Sequence, residues 1–165
     1  MTFRATLLAA LAAALLGVAP ARAESPRQAC GAAVEVPAEH AQRLTAFAER
    51  AGLRQTRAAA GAIWHVHSTG RLPDCFLTKR DAEERGWRPG SDLWRVAPGA
   101  AIGGDRFGNR EGQLPARNRY VEADLDYTGG RRGAARLVFA RETRGRWLIW
   151  VTTDHYRSFR EVPPR

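Results

Sequence analysis

The sequence predicts an α+β fold in which N-terminal helices pack on a C-terminal antiparallel β-sheet. Up to Pro98 the apolar residues recur at helical spacing, and after Pro98 they alternate with polar residues at a period of two. Clusters of Gly, Asn and Arg of hairpin length separate the later segments. We therefore expect consecutive strands to pair with each other in antiparallel fashion.

The individual elements follow in order, without an internal repeat. Thr78 and Asp81 form an approximate capping box at the start of the third helix, and Ser91 or Asp92 caps a short helical turn. Gly and Pro residues end the helical segments. The helices are predicted at 38–52, 55–70 and 78–86, and the strands at Ile102, 120–125, 137–139, 147–151 and near Phe159.

The first 23 residues predict a secretory signal peptide. Arg4 precedes an apolar run that begins at Leu7, and small residues lead to a cleavage site after Ala23. The apolar run is shorter than the roughly 20 residues of a membrane-spanning helix. We expect a soluble protein that contacts no membrane and is secreted, either to the cell exterior or to the periplasm. Residues 24–60 are predicted to form an N-terminal extension with one helix, and residues 61–165 the principal domain.

The charge of the chain points to anionic partners. The formal net charge is +9, and about +7 remains after cleavage because the signal peptide takes Arg4 and Arg22 with it. Such an excess favours nucleic acid, anionic lipid or acidic glycan as a partner, although it also serves solubility alone. Lys79 is the only lysine, and a compact ammonium can approach a single oxygen in a way that a guanidinium cannot.

Two cysteines in an exported chain predict one disulfide, between Cys30 and Cys75. A thiol nucleophile is disfavoured, because no His or Asn stands in a suggestive position beside either cysteine. His65 and His67 alternate, but no cysteine or acid follows at ligand spacing. We therefore predict no metal site.

Candidate acid–base residues cluster in the last third of the chain. Glu122 and Asp124 alternate with apolar residues, so both carboxylates should share one face of the sheet. A hairpin brings Arg132 and Arg136 close to these two carboxylates. The same pattern is equally expected of an ordinary solvated sheet face with cross-strand ion pairs. His155, predicted to end the following strand, favours a proton-transfer site, because histidine gains and loses protons near neutral pH.

The loop 107–112 offers a different capability. Gly108 and Asn109 allow unusual backbone angles, so successive N–H groups can point at one acceptor. Glu111 can accept hydrogen bonds from adjacent donors. Guanine carries acceptors at O6 and N7 and N–H donors on its Watson–Crick edge, so amides beside a carboxylate suit guanine best among the bases.

Four strings resemble those of the barnase type of secreted, guanyl-preferring bacterial ribonucleases. They are LPDCFLTKRDAEERGW, VAPGAAIGGDRFGNREGQLP, EADLDYT and TTDHYRSF, in order from Leu72 to Phe159. The resemblance implies the microbial ribonuclease fold for residues 61–165. It also implies metal-free cleavage of single-stranded RNA after guanosine, by transfer to a 2′,3′-cyclic phosphate and hydrolysis to a 3′-phosphate.

The resemblance also assigns roles to residues. Glu122 is the base and His155 the acid, with reversed roles in the second step. Tyr156 is a stacking or orienting ring. The phosphate-site cations are Lys79, Arg132 and Arg136, and the guanine-binding residues are Phe107, Gly108, Asn109, Arg110 and Glu111. No cofactor is implied, and we expect a monomer.

Two features depart from the family pattern, and two other functions compete with the ribonuclease. Gly108 stands where the family usually has serine, and Ala135 stands where an acidic residue is expected before Arg136. The family suggests one protein partner, an acidic barstar-like inhibitor. The alternatives to a ribonuclease are a non-catalytic RNA-binding or toxin module with the same fold, and a cationic protein that binds anionic surfaces.

Overall fold

A computed structural model describes residues 28–116 and 118–164. The predicted signal peptide and its cleavage site lie outside the described residues. Within those residues, no helix has both the length and the apolar character needed to cross a bilayer.

Three helices and one short turn form the N-terminal part of the fold, as predicted. They are α1 (Ala38–Arg50), α2 (Thr56–Thr69), α3 (Lys79–Glu84) and a 3-10 turn at Leu93–Arg95. Asp92 caps the turn, because its side chain accepts a hydrogen bond from the Trp94 N–H. Helix α1 packs on α2, whose residues 58–63 are all buried. The predicted boundary between residues 60 and 61 falls inside α2, and the division into two units stays a prediction.

Six strands form one sheet in which each strand lies beside its neighbour in sequence. The pairs from β2 to β6 are antiparallel, as predicted. The pair β1–β2 is parallel, which the sequence did not indicate because β1 has only two residues. The bounds are β1 (Phe76–Leu77), β2 (Ala101–Phe107), β3 (Tyr120–Asp124), β4 (Arg136–Arg141), β5 (Trp147–Thr152) and β6 (Arg160–Glu161).

Both faces of the sheet bury apolar side chains. The face with Ala123, Leu137 and Val151 belongs to the main core shared with the helices. We expected apolar residues on that face only. The opposite face, which carries Glu122, buries a second apolar cluster, made by Leu114, Tyr120, Val138, Ala140, Leu148 and Trp150. This cluster gives the carboxylates an apolar floor on one side instead of open solvent.

The predicted disulfide between Cys30 and Cys75 is present, with the two Cα atoms 5.6 Å apart. It joins the segment before α1 to the residue that precedes β1. The link therefore fastens the extension to the edge of the sheet.

Candidate active site

A cleft of about 740 Å³ opens at the carboxylate-bearing face of the sheet. It gathers side chains from α3, from β2 to β4, and from the loops after β2, β3 and β5. Every residue predicted for catalysis, guanine binding or stacking lines this cleft, and Arg106 joins them: the lining is Lys79, Arg106, Phe107, Gly108, Asn109, Arg110, Glu111, Glu122, Arg132, Arg136, His155 and Tyr156.

Glu122 lies in the middle of β3, between Asp105 on β2 and Val138 on β4. Its side chain is only 14% exposed, and each carboxylate oxygen has a different partner. Oε1 lies 3.4 Å from Lys79 Nζ, while Oε2 accepts a hydrogen bond of 2.6 Å from the Tyr156 hydroxyl. Burial, and next the hydrogen bond to Glu122, raise the pKa of Tyr156 well above its ordinary value. The phenol therefore stays protonated and donates to the carboxylate.

Lys79 is positioned by the start of α3. The Thr78 hydroxyl accepts from the Asp81 N–H and caps the helix, as predicted. The Lys79 backbone N–H donates to Asp105 Oδ2 at 3.0 Å, which fastens the helix to β2. Its ammonium lies 3.9 Å from the same oxygen and 3.4 Å from Glu122. Lys79 thus bridges two carboxylates at the edge of the cleft.

Arg132 and Arg136 both pair with Asp124, which is buried to 3% exposure at the end of β3. Arg132 donates from Nε and Nη2 to the two carboxylate oxygens, at 2.5 and 2.8 Å. Arg136 Nε lies 3.0 Å from Oδ1 without hydrogen-bond alignment, and its Nη1 donates to the carbonyls of Gly133 and Ala135. The Asp124 hydrogen bond raises the pKa of Arg132 further. One buried carboxylate therefore fixes two guanidiniums at the cleft.

The prediction that His155 ends a strand is wrong. Strand β5 stops at Thr152, and His155 and Tyr156 lie in the following loop with φ angles of 57° and 69°. Such left-handed angles are uncommon for residues with a Cβ, and several hydrogen bonds hold the loop in this conformation. The Thr152 hydroxyl accepts from the Tyr156 N–H, and the His155 N–H donates to the Ala134 carbonyl. The exposed His155 ring consequently faces the cleft.

Asp154 closes the same loop. Its carboxylate accepts from the Ser158 hydroxyl at 2.6 Å, from the Ser158 N–H at 3.0 Å and from the Thr152 hydroxyl at 2.8 Å. The hydrogen bonds from Ser158 and Thr152 lower the pKa of Asp154 to about 2. Asp154 is therefore ionised in the folded protein at neutral pH. Its hydrogen bonds to Thr152 and Ser158 connect the two ends of the loop that carries His155.

The packing of Tyr156 favours the orienting role over the stacking role. Its ring stacks on Phe107, with centroids 5.0 Å apart, and the Arg136 guanidinium carbon lies 6.0 Å from its centroid. Phe159 packs against both rings. These contacts hold the phenol where it meets Glu122, and they connect the strand residues to the loop after β2.

The predicted guanine loop is closed by its own asparagine. Asn109 has a φ angle of 44°, and its amide donates to the Leu114 carbonyl at 2.8 Å and accepts from the Leu114 N–H at 3.0 Å. This side chain is thus occupied within the loop. The side chains of Arg110 and Glu111 are exposed and line the cleft.

The roles of four residues at the site were not predicted from the sequence. Asp105 and Asp154 fasten α3 and the His155 loop, and Asp124 was noticed only as a neighbour of Glu122. Arg106 could have been found as the cation directly before the loop 107–112. In the part of the chain that the structure describes, no group of three or more His, Cys, Asp and Glu side chains could hold a metal ion.

Comparison with known proteins agrees with the resemblance drawn from the motifs. A sequence model of the family described as ribonuclease matches residues 57–163. The ribonuclease of Heyndrickxia coagulans is 46% identical over 95 residues, which cover 56% of this chain and 84% of that protein.

The ribonucleases of Bacillus intermedius and Bacillus pumilus are also 46% identical over 95 residues. In both cases the match covers 56% of this chain and 56% of the relative. With the family model covering more than half of its length, the chain belongs to the ribonuclease family.

Proposed function

We propose that the protein is a secreted endoribonuclease that cleaves single-stranded RNA after guanosine. The observation that carries this proposal is the meeting of Glu122, His155 and three cations in one cleft. A carboxylate that accepts a proton and an imidazole that gives one are the two groups a phosphoryl transfer needs when the attacking and departing atoms are both oxygens.

In the first step Glu122 takes the proton of the ribose 2′-hydroxyl, and the 2′-oxygen attacks the adjacent phosphorus. His155 protonates the departing 5′-oxygen, which leaves a 2′,3′-cyclic phosphate. In the second step His155 takes a proton from water, the water oxygen attacks phosphorus, and Glu122 returns a proton to the 2′-oxygen. Because the first step requires the 2′-hydroxyl, DNA is not a substrate.

The cations stabilise the charge that grows on the phosphoryl oxygens. Arg132 and Arg136 are already held by Asp124, so they need little reorganisation when the phosphate arrives. Lys79 lies beside Glu122 and brings the third positive charge. The chemistry therefore needs no metal ion, and chelation of divalent cations should leave the rate unchanged.

The loop 107–111 supports the preference for guanine. Since Asn109 closes the loop with its side chain, the backbone N–H groups around it are held in a fixed arrangement that can serve one acceptor. Glu111 and Arg110 extend into the same cleft. A carboxylate beside amide donors complements the donors and acceptors of guanine and mismatches those of adenine.

Three further assignments accompany the proposal. Residues 1–23 direct export, the mature protein is a monomer, and an acidic inhibitor of the producing cell covers the cationic cleft. The clustering of Lys79, Arg106, Arg110, Arg132 and Arg136 around one opening supports such a partner, because an acidic surface would complement it.

The test is an assay on GpN dinucleotides with the variants Glu122→Gln and His155→Ala. General acid–base catalysis contributes about 10² to 10⁴ per group, so kcat/KM should fall by that factor in each variant. The parent should show a bell-shaped dependence of kcat/KM on pH, Glu122→Gln should lose the acidic limb, and His155→Ala should lose the alkaline limb. Folding is checked by circular dichroism.

Asp74→Asn, at an exposed position, and His65→Ala, at a partly buried one, both lie outside the cleft and provide the controls. Cleavage at the parent rate by both site variants would disprove the mechanism. Binding of RNA without any product from the parent would replace the enzyme with a non-catalytic RNA-binding module.

A further inference from the structure

A second groove of about 370 Å³ lies at the far end of the sheet from the His155 loop. Its floor is apolar and includes Val121, Phe139 and Trp147. These side chains lie on the helix-facing side of the sheet, beyond the end of α2. Gly70 approaches the Trp147 ring there so closely that a Cβ on residue 70 would collide with the ring. The helix layer ends here and leaves Val121 and Trp147 partly exposed, while Phe139 is buried beneath them.

Arginines surround this floor. Arg71, Arg119 and Arg141 are exposed and line the groove, and none of its lining residues is acidic among those that the structure describes. The Arg141 guanidinium carbon lies 6.0 Å from the Trp147 ring centroid. An apolar and aromatic floor with cations along its rim is the combination that binds single-stranded nucleic acid, because bases stack on the floor and phosphates meet the rim.

The groove lies on the opposite face of the sheet from the active-site cleft, and both take lining residues from the end of β2. Gly104 lines the groove and Arg106 lines the cleft. In the β2–β3 register, Arg106 lies opposite Val121, whose side chain belongs to the groove floor. Strand β1 pairs only with Ala101 and Ile102, so no described strand covers the outer side of β2 beyond that point. With about 3.3 Å per strand residue, Gly104 and Phe107 are separated by about 10 Å. A polynucleotide that leaves the cleft past Arg106 and turns around this uncovered edge of β2 therefore meets the groove after a short distance.

We propose that this groove, formed by Trp147, Phe139 and Val121 and rimmed by Arg71, Arg119 and Arg141, binds the part of a single-stranded RNA that extends beyond the cleaved dinucleotide. The proposal rests on the proposed function, since it assigns the groove to the same RNA substrate. It makes the protein selective for long substrates: a dinucleotide fills only the cleft, whereas a longer strand gains additional contacts.

The test compares two triple variants with the same loss of charge. The groove variant is Arg71→Ala, Arg119→Ala and Arg141→Ala. The control variant is Arg50→Ala, Arg57→Ala and Arg95→Ala, three exposed arginines that line neither the cleft nor the groove. Each is assayed on a GpN dinucleotide and on an RNA of about twelve nucleotides with one central guanosine, after thermal melting has shown that both variants fold.

For the groove variant we expect dinucleotide kcat/KM within about twofold of the parent, and kcat/KM on the longer RNA lowered roughly tenfold at low salt. The slope of log kcat/KM against log salt on the longer RNA should become shallower by about 2, because each lost phosphate contact on a single strand removes about 0.7. The control variant should lose less than about threefold on the longer RNA. Equal losses in the two triple variants, or no loss in the groove variant, would overturn the proposal.

A binding measurement separates this proposal from the proposed function. The longer RNA with a single 2′-deoxyguanosine at its centre cannot be cleaved there, so its affinity reports contacts alone. If the parent does not cleave GpN, the proposed function fails, while weaker binding by the groove variant than by the control variant would still support the groove. If the parent cleaves GpN and the two variants bind this RNA equally, only the groove proposal fails.

Discussion

The two ends of the cleft are held by different means. At the strand end, Glu122 lies on β3, Arg136 on β4 and Arg132 in the loop between them, and the two guanidiniums pair with the buried Asp124. At the loop end, residues 107–111 are largely exposed, and the conformation depends on the two hydrogen bonds between Asn109 and Leu114. The carboxylate and the two guanidiniums at the strand end are thus largely buried, whereas the groups proposed for base recognition depend on local hydrogen bonds within one loop.

This difference implies that the two tasks can change independently. An altered loop leaves the Asp124 ion pairs in place, so base preference can vary while the cleavage chemistry persists. A change at Asp124 affects both guanidiniums and the stability of the sheet together, because they have one common partner. Gly108 and Ala135, the two departures from the family pattern, lie one at each end.

The largest expected effect comes from breaking the strand end with Asp124→Asn. Removing the partner of two partly or fully buried cations should lower the free energy of unfolding by about 3–5 kcal/mol, and kcat/KM on GpN should fall with it. Urea denaturation monitored by circular dichroism measures the first quantity. The exposed Asp74→Asn is the matched control and should leave stability within about 0.5 kcal/mol of the parent. Parent-like stability in Asp124→Asn would show that the buried pairs do not hold the strand end.

A smaller effect is expected from breaking the loop end with Asn109→Ala. The variant loses both hydrogen bonds to Leu114 and places alanine at a φ angle of 44°, so the loop should lose its fixed conformation. The ratio of kcat/KM for GpN to that for ApN should fall roughly tenfold, with a stability loss of about 1–2 kcal/mol.

Asn118→Ala provides the control for the loop. Asn118 lies close in sequence, bonds to Pro115 and Tyr120, and does not line the cleft. Its base preference should match that of the parent. If Asn109→Ala kept the guanine preference while Asn118→Ala lost it, recognition would belong to the segment after the loop.

The smallest effect concerns pH and the loop that carries His155. The folded-state pKa of Asp154 is lowered to about 2, chiefly by hydrogen bonds from Ser158, from an ordinary value of 3.8. A depressed carboxylate pKa adds stability that is present above the ordinary value and is lost as the pH falls toward about 2. The parent should therefore be more stable than Asp154→Asn at neutral pH, and the difference should shrink between about pH 4 and about pH 2.

Urea midpoints of the two proteins at a series of pH values measure this convergence. A difference that stays constant throughout the acid range would mean that the charge of Asp154 does not hold the loop.

Sequence periodicity predicted the layout of the fold because most elements are long enough to show it. Alternation along β3 placed Glu122 and Asp124 on one face, and the bounds of the helices followed from caps and stop residues. Strand β1 has two residues and pairs in parallel, which is too short for any period to appear. Its place is set by tertiary contacts near the disulfide.

The partners inside the site were harder to predict, because burial depends on the whole fold. Spacing alone placed Arg132 and Arg136 near two carboxylates but could not indicate that both would form ion pairs with Asp124. The left-handed backbone at His155 and Tyr156 could not be predicted either, because positive φ angles are uncommon for residues other than glycine, and the enrichment of histidine there does not extend to tyrosine. The hydrogen bonds that Thr152 accepts from the Tyr156 N–H and that Asp154 accepts from the Ser158 N–H hold that conformation.

The disulfide converts the chain between Cys30 and Cys75 into a covalent ring that contains α1 and α2 entirely. A protease that cuts this ring once cannot separate the two sides, because the sulfur bridge still connects them. The nicked molecule would keep its helical layer tethered four residues before Lys79. Any single peptide bond of the ring could therefore be lost without splitting the molecule in two.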